Sequence, residues 1–225
     1  MLIRSWNLYH GRSHPAARRG FLRAVMALAV SGEPDVVCLQ ELPLWSLSRL
    51  EDWSGMQAFP ARTKRAPLGA WAGRVVTSAH HGVLRSAFTG QANAILVSPG
   101  HAARDLGSLV ISDRRHHPRV CQAVRVDEQL VVANIHASGD VAQRQVDRAL
   151  AWLEDELHHG DPVVLAGDFN ASLALPGFSS PHGGIDDILV RGADATPLEV
   201  WPVDRRRQNG VVLSDHAPVE LTVRS

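Results

Sequence analysis

The sequence predicts an α/β protein in which helices pack outside mixed sheets, as a single domain over residues 1–225. Three observations carry this. Strand-like apolar runs alternate with segments of helical periodicity along the whole chain. Two runs, "VCQAVRV" (120–126) and "LVVANIH" (130–136), flank the turn "DEQ" and read as a hairpin, so the sheets are not purely parallel. The 225 residues, 45% of them hydrophobic, are enough for one sizeable core.

Residues 2–8 open the chain as a strand. Residues 14–31 read as an amphipathic helix with Ala17, Phe21, Val25 and Leu28 on one face, Ser13 as its cap and Pro15 in its first turn. The stretch "RRGFLRAVMALAVSG" (18–32) has the basic-then-apolar order of a leader. Arg23 interrupts its apolar run, a strand precedes it, and it is too short to span a bilayer. Residues 35–40 form a buried strand and 43–53 a helical segment. The region 54–90, with Pro60, Pro67 and several glycines, reads as irregular, with short strands near 74–78 and 82–88. "NAILVS" (93–98) is a strand. Residues 141–158 form a helix with Val146, Leu150, Leu153 and Leu157 at helical spacing. "PVVLAGD" (162–168), "DDILVRG" (186–192) and "APVELTV" (217–223) are the remaining strands.

The 23 basic side chains balance 23 acidic ones, which excludes a global basic field. Their distribution is uneven. From Trp53 to Arg104 there is no acid, yet the stretch holds Arg62, Lys64, Arg65, Arg74, Arg85 and Arg104, with His80, His81 and His101. Such a block offers a face for an anionic substrate, or it is a set of loops whose countercharges arrive from elsewhere. Trp45, Trp53 and Trp71 lie in or beside it; the reading assigns two of the three to the core. "RRR" (205–207) lies a few positions before "LSDH" and is expected at the rim of a cleft. Cys38 and Cys121 sit in apolar runs and read as buried small hydrophobes, which fits a reducing, cytoplasmic setting.

Several strands end in residues that do chemistry. The first ends at Asn7, the second at Glu41, the return strand of the hairpin at His136, and "VVLAGDFNAS" (163–172) at Asp168 and Asn170. Asp186 opens one late strand, and Asp215 and His216 stand just before another. Each has a bland explanation of its own, such as an Asx-turn for Asp168 with Asn170. Together they mark one edge of a sheet, where binding residues of α/β folds collect. Carboxylates and carboxamides without thiolate suit a hard cation, Mg²⁺ or Mn²⁺. Zinc is disfavoured, because the HH pairs at 80–81, 116–117 and 158–159 point neighbouring side chains apart. No G-x-S-x-G elbow and no Walker loop occur. What remains is metal-assisted attack by water, with a His or an Asp taking the proton.

The chain resembles the endonuclease/exonuclease/phosphatase superfamily, with deoxyribonuclease I-like folds. "SWNLYHG" is similar to its opening strand, "VVCLQE" to its L-Q-E, "VVANIHAS" to its N-x-H strand, "LAGDFNAS" to its G-D-F-N, "GIDDILV" to its I-D-x-I and "LSDHAPV" to its S-D-H-x-P-V. The six stand in family order over nearly the whole chain. The resemblance implies a four-layer α/β/β/α sandwich: two mixed β-sheets face to face, outer helices, and the site at the mouth between the sheets. It implies Glu41 as principal metal ligand, with Asn7 and Asp215 at the same ion. It further implies that Asp168 orients or deprotonates the attacking water and that Asn170 holds the phosphate. His216, supported by Asp186, contacts the phosphate or serves as the base, and His136 donates to a phosphate oxygen. The expected protein is thus a monomeric, Mg²⁺- or Mn²⁺-dependent phosphodiesterase without a membrane span. Its expected substrate is nucleic acid. The alternatives are a phosphatase or phospholipase-C-like hydrolase of a small phosphorylated ligand, and a non-catalytic binding module. No substrate-binding residue is singled out, because the abasic-site motifs and the 5-phosphatase W-C-D-R-I are missing.

Overall fold

The computed structural model describes residues 1–64, 69–79, 81, 90–113, 118–179 and 182–224. Two mixed sheets dominate it. The first runs β11 (Asp194–Ala195), β15 (Val219–Arg224), β1 (Leu2–Asn7), β3 (Val36–Leu42), β5 (Gln91–Val97), β4 (Gln57–Lys64), with β12 (Glu199–Val200) also on β15. The second runs β10 (Asp186–Arg191), β9 (Val163–Asp168), β8 (Leu130–His136), β7 (Val120–Val126), β6 (Ala103–Val110). A small third sheet joins β13 (Arg207–Gln208), β14 (Val211–Leu213) and β2 (Ser13–His14).

Side-chain alternation builds the layers. Ile3, Val36, Cys38 and Ile95 of the first sheet meet Val124, Val132, Val164, Ala166 and Ile188 of the second in a buried central core. The intervening residues face outward. Val37, Leu39, Ala94 and Leu96 receive Leu22, Val25, Met26 and Ala29 of helix α1 (Leu22–Ala29). Val131, Ala133, Ile135 and Leu165 receive Val146, Ala149 and Leu153 of the long C-terminal-half helix (Ala142–Glu156). The result is helix, sheet, sheet, helix, as the resemblance implied. Burying each such aliphatic side chain contributes roughly 1.5–3 kcal/mol, so the two sheets are a stiff platform. Cys38 and Cys121 are fully buried thiols within it.

The local expectations fail in places. The helix expected over 14–31 is α1 alone. Ser13 belongs to β2, and its hydroxyl donates to the Pro15 carbonyl instead of capping a helix. The reason is composition: from His14 to Gly20 only the small Ala17 reaches the outer core, too little apolar surface to reward a helix before Phe21. The segment 43–53 is helical but broken, a tight 3₁₀ stretch Leu44–Arg49 running into α2 (Leu50–Ser54). The strand expected near 74–78 is instead inside helix α3 (Ala70–Ala79), with Gly73 and Thr77 on its buried face; the one expected near 82–88 lies outside the described residues. Strands β4 and β6 were not expected. Both are sheet edges, where Pro60 and the bulge at Gly107 are tolerated and an apolar signal is weak. With α3 counted, the long helix Ala142–Glu156 is α4.

Candidate active site

The ends of β1, β3, β8 and β9 lie at the same edge as the starts of β5, β7, β10 and β15, because the latter run antiparallel to their neighbours. Along the inner face each strand passes from apolar to polar toward that edge. Strand β8 reads Val132, Asn134, His136; β9 reads Val164, Ala166, Asp168; β1 reads Ile3, Ser5, Asn7. Just below the edge, Gln40 Nε2 donates to Asn134 Oδ1 (2.8 Å) and to Ser5 Oγ (3.1 Å), and Asn134 Nδ2 reaches the Leu39 and Ala94 carbonyls at 3.0 Å each. This buried polar layer clamps sheet to sheet. It gives Gln40 of "LQE" and Asn134 of "NIH" structural jobs that the sequence left unassigned.

Asp168 sits at the centre, 1% exposed. Its register partners are His136 on one side and Asp186 on the other. Gly167 precedes it in a conformation reserved for glycine, and a Cβ there would run into the Ile135 carbonyl oxygen. Asp168 Oδ1 accepts from the Asn170 backbone N–H (2.9 Å), so the Asx-turn exists; Oδ2 accepts from Asn7 Nδ2 (2.8 Å). Burial raises the Asp168 pKa, and the Asp186 charge adds to this. His216, Asn7 and the Asn170 amide pull the other way. Asn170, at φ 51°, donates its carboxamide to the Ala137 carbonyl (3.0 Å).

His216 Nδ1 is 2.8 Å from Asp186 Oδ2 and 3.9 Å from Asp168 Oδ2. Burial lowers the imidazolium pKa, but the Asp186 hydrogen bond and the charges of Asp186, Asp168 and Asp215 outweigh it and push it up to about 9. The loop carrying His216 is pinned from three sides. Ser214 Oγ donates to the Asn7 carbonyl (2.7 Å), Trp6 Nε1 donates to the His216 carbonyl (3.0 Å), and Arg206 Nη1 donates to the carbonyls of Leu213, Ser214 and His216. The "RRR" run is thus not a free basic rim. Arg206 is buried as a brace, Arg205 pairs with Glu199 and Glu220 and stacks on Trp201, and Arg207 pairs with Asp204.

Glu41 lies where the β3–β5 register breaks, at φ 55°, which turns its side chain away from the strand's own alternation. Its Oε2 is 3.5 Å from His10 Nε2. Asn7 Oδ1 accepts from the Tyr9 backbone N–H (3.0 Å). Asp215 is exposed. Among the described residues, ligand atoms of Asp168, Asp186 and His216 all lie within 4.8 Å of one another. Asp186 Oδ1 is buried with no hydrogen-bond partner among those residues, and Glu41 and Asp168 both act on the guanidinium of Arg119. Oxygen donors of this kind, sharing one space, fit a hard divalent cation.

His136 is buried beside Asp168 (Nε2 to Oδ2, 3.5 Å). Burial, then the charges of Arg119, His216 and His10, hold its pKa well below that of a free histidine, so it is neutral at neutral pH. Arg119 Nη1 lies 2.8 Å from its Nδ1 and 2.6 Å from its Nε2, which places the guanidinium across the ring rather than in its plane. Burial lowers the Arg119 pKa, and Glu41 and Asp168 oppose the shift. Sequence reasoning missed Arg119 because it looked mainly at strand C-termini. The signal was present: Arg119 immediately precedes β7, whose start lies at the same edge as the end of β8.

Among the described residues the basic block is divided between the two readings. Arg104 pairs with Glu128, and His101 lies between Asp35 and Asp127, so these countercharges do arrive from elsewhere. Arg62 is exposed at the edge strand. Arg65, His80 and Arg85 lie outside the described residues. Trp45 and Trp53 meet edge-on, ring centroids 6.0 Å apart, and both pack against the outer core, whereas Trp71 is 76% exposed.

The family model for the endonuclease/exonuclease/phosphatase family matches residues 5–216. Among solved structures, the chain is similar over 100% of its length to 99% of a functionally unknown conserved protein from Enterococcus faecalis V583 (TM-score 0.70, 18% identity). It is similar over 100% to all of a mannosyl-6-phosphatase from Bacteroides thetaiotaomicron VPI-5482 (0.69, 16%). It is also similar over 100% to 99% of a humanized D. rerio TDP2 (0.65, 17%). No curated protein sequence matches the chain. With that match over nearly its whole length and the carboxylate–histidine edge described above, the chain belongs to the endonuclease/exonuclease/phosphatase family of metal-dependent phosphoester hydrolases.

Proposed function

We propose that the protein hydrolyses phosphodiester bonds, with water as nucleophile and Mg²⁺ or Mn²⁺ as cofactor, and that its substrate is nucleic acid. The observation that carries this is the convergence of Asp168, Asp186 and His216 within 4.8 Å at the mouth between two sheets. Glu41 would hold the ion, with Asn7 and Asp215 beside it. A bound divalent ion supplies charge neutralisation at the non-bridging phosphate oxygens. The protein's own groups do the rest. Asp168, fixed by the Asn7 carboxamide and the Asn170 amide, orients the attacking water and draws off its proton. Its raised pKa brings it closer to the range of a useful base than a free carboxylate is. His216, held by Asp186 and charged at neutral pH, donates to the phosphate. Asn170 and the neutral His136 donate without adding charge, and Arg119 supplies a fixed cation next to them.

A panel of single-stranded and duplex DNA, abasic DNA, RNA, bis(p-nitrophenyl) phosphate and sugar monophosphates, each with Mg²⁺ and with chelator, tests the reading. Metal-dependent cleavage of diesters is expected. Turnover of monoesters alone would replace it with the phosphatase reading, and no turnover of any substrate would leave a binding module.

A further inference from the structure

We propose that a basic, tryptophan-lined groove next to the reaction centre binds a single strand of nucleic acid; the inference rests on the hydrolase reading above and names its substrate class. The groove, about 380 Å³, is lined by Arg18, Arg19, Arg23 and Arg74 together with Trp45 and Trp53, and no carboxylate lines it among the described residues. A neighbouring hollow of about 420 Å³ shares Arg19 and Arg23 and continues toward Gln208 and Asn209. Two stretches of sequence without any Asp or Glu, 1–32 and 53–104, supply these four arginines. Only the tertiary fold lays the loop before α1 against α3. His81 fastens them: its backbone N–H donates to the Arg18 carbonyl (2.8 Å), and its Nε2 meets the His10 carbonyl (3.0 Å). His10 in turn lies 3.5 Å from Glu41, so the groove and the reaction centre share a wall.

The chemistry of the lining selects the ligand. Guanidinium groups suit phosphate, and the absence of a carboxylate leaves no competing anion in the groove. Arg74 Cζ lies 5.0 Å over the Trp45 ring, which presents cation and aromatic face together. Trp71 stands one turn before Arg74 on the same face of α3 and is 76% exposed, so its ring is open to stack on a base at the rim of the groove. A bare polyphosphate needs no aromatic platform, whereas a base-bearing strand uses both parts.

The test is fluorescence anisotropy with labelled oligothymidylate and oligouridylate of roughly 12 nucleotides, a length within single-strand site sizes. The protein carries Asp168→Asn to suppress turnover. Adding Arg23→Gln and Arg74→Gln should raise Kd at least tenfold and flatten the log–log salt slope by about 1.4, about 0.7 for each lost phosphate contact. Trp71→Ala should raise Kd about fivefold or more for both oligonucleotides and leave inorganic polyphosphate binding unchanged. All three positions are exposed, and thermal unfolding checks that the variants fold. Unchanged Kd and slope in the arginine variant would overturn the proposal. So would an equal loss of polyphosphate binding on Trp71→Ala, which would make the groove a general polyanion site. Hydrolysis of bis(p-nitrophenyl) phosphate by the unsubstituted protein reads the reaction centre separately. Its absence, with strand binding intact, would sink the hydrolase reading and not the groove.

Discussion

At the scale of single residues, Asp168 answers two demands at once. One oxygen closes the turn at Asn170 and the other takes the Asn7 carboxamide. Asp168→Asn retains the volume and only one acceptor oxygen, so its new amino group must face one of those donors. Loss of kcat by roughly 10²-fold or more is expected, with little change in KM and a modest fall in Tm. Near-normal kcat in a stable Asp168→Asn protein would leave Asp168 with the turn alone. Arg119 makes a second prediction with a readout besides activity. Burial is the main reason His136 stays neutral, and the Arg119 charge is the next. In Arg119→Gln the His136 pKa should therefore rise, visible as a shifted imidazole titration by NMR, while kcat/KM falls by roughly 10-fold or more. An unmoved titration would mean that the guanidinium does not act on that ring.

At the scale of elements, the break in the β3–β5 ladder that turns Glu41 into the site leaves backbone carbonyls in need of donors. Asn134, from the opposite sheet, supplies them at Leu39 and Ala94. Asn134→Ala should cost about 1–3 kcal/mol in denaturant unfolding, because buried acceptors are left unsatisfied. It should also weaken the response to Mg²⁺ by loosening Glu41. A variant as stable as the parent would show that water or a shifted neighbour fills the gap. At the far end of the sheets, His101 bridges Asp127 (2.6 Å) before β8 and Asp35 (2.9 Å) before β3. The hydrogen bonds to Asp127 and Asp35 raise the His101 pKa against its burial. Burial works to raise Asp35, but His101 and the Leu2 amide lower it; the His101 bond lowers Asp127. The histidine's contribution is complete below its unfolded pKa of about 6.5 and is lost as pH rises through its folded value. The carboxylates' contribution is present above about 3.9 and is lost as pH falls through their depressed values. The latch is therefore strongest between those limits. His101→Asn should lower Tm by a few degrees at pH 6 and by less at pH 9; an equal loss at both would remove the ionic part of the account.

At the scale of the molecule, the candidate site is a product of two sheets packed face to face with their polar strand ends at the same edge. Activity should vanish in excess chelator and return with Mg²⁺ or Mn²⁺, and Glu41→Gln should blunt that metal response more than it changes Tm, since a strand-end side chain carries little core packing. Full turnover in chelator, with metal absence verified by elemental analysis, would sink the requirement. No helix among the described residues is long and apolar enough to cross a membrane.

Local structure is legible in the chain alone. Continuous apolar runs marked the central strands, and polar residues at their tips marked the edge that now holds Asn7, Glu41, His136 and Asp168. Edge strands β4 and β6 escaped, because a strand covered on one side carries a weaker apolar signature. So did the short reach of α1, which depends on what Phe21 packs against. Tertiary structure alone decided the rest. Arg119 enters the site only because β7 runs antiparallel to β8. Arg206 serves the His216 loop as a brace, and Arg18 and Arg74, 56 positions apart, line one groove. Pairing and layer packing are fixed by burial summed over the whole chain, and no stretch of a dozen residues contains that sum.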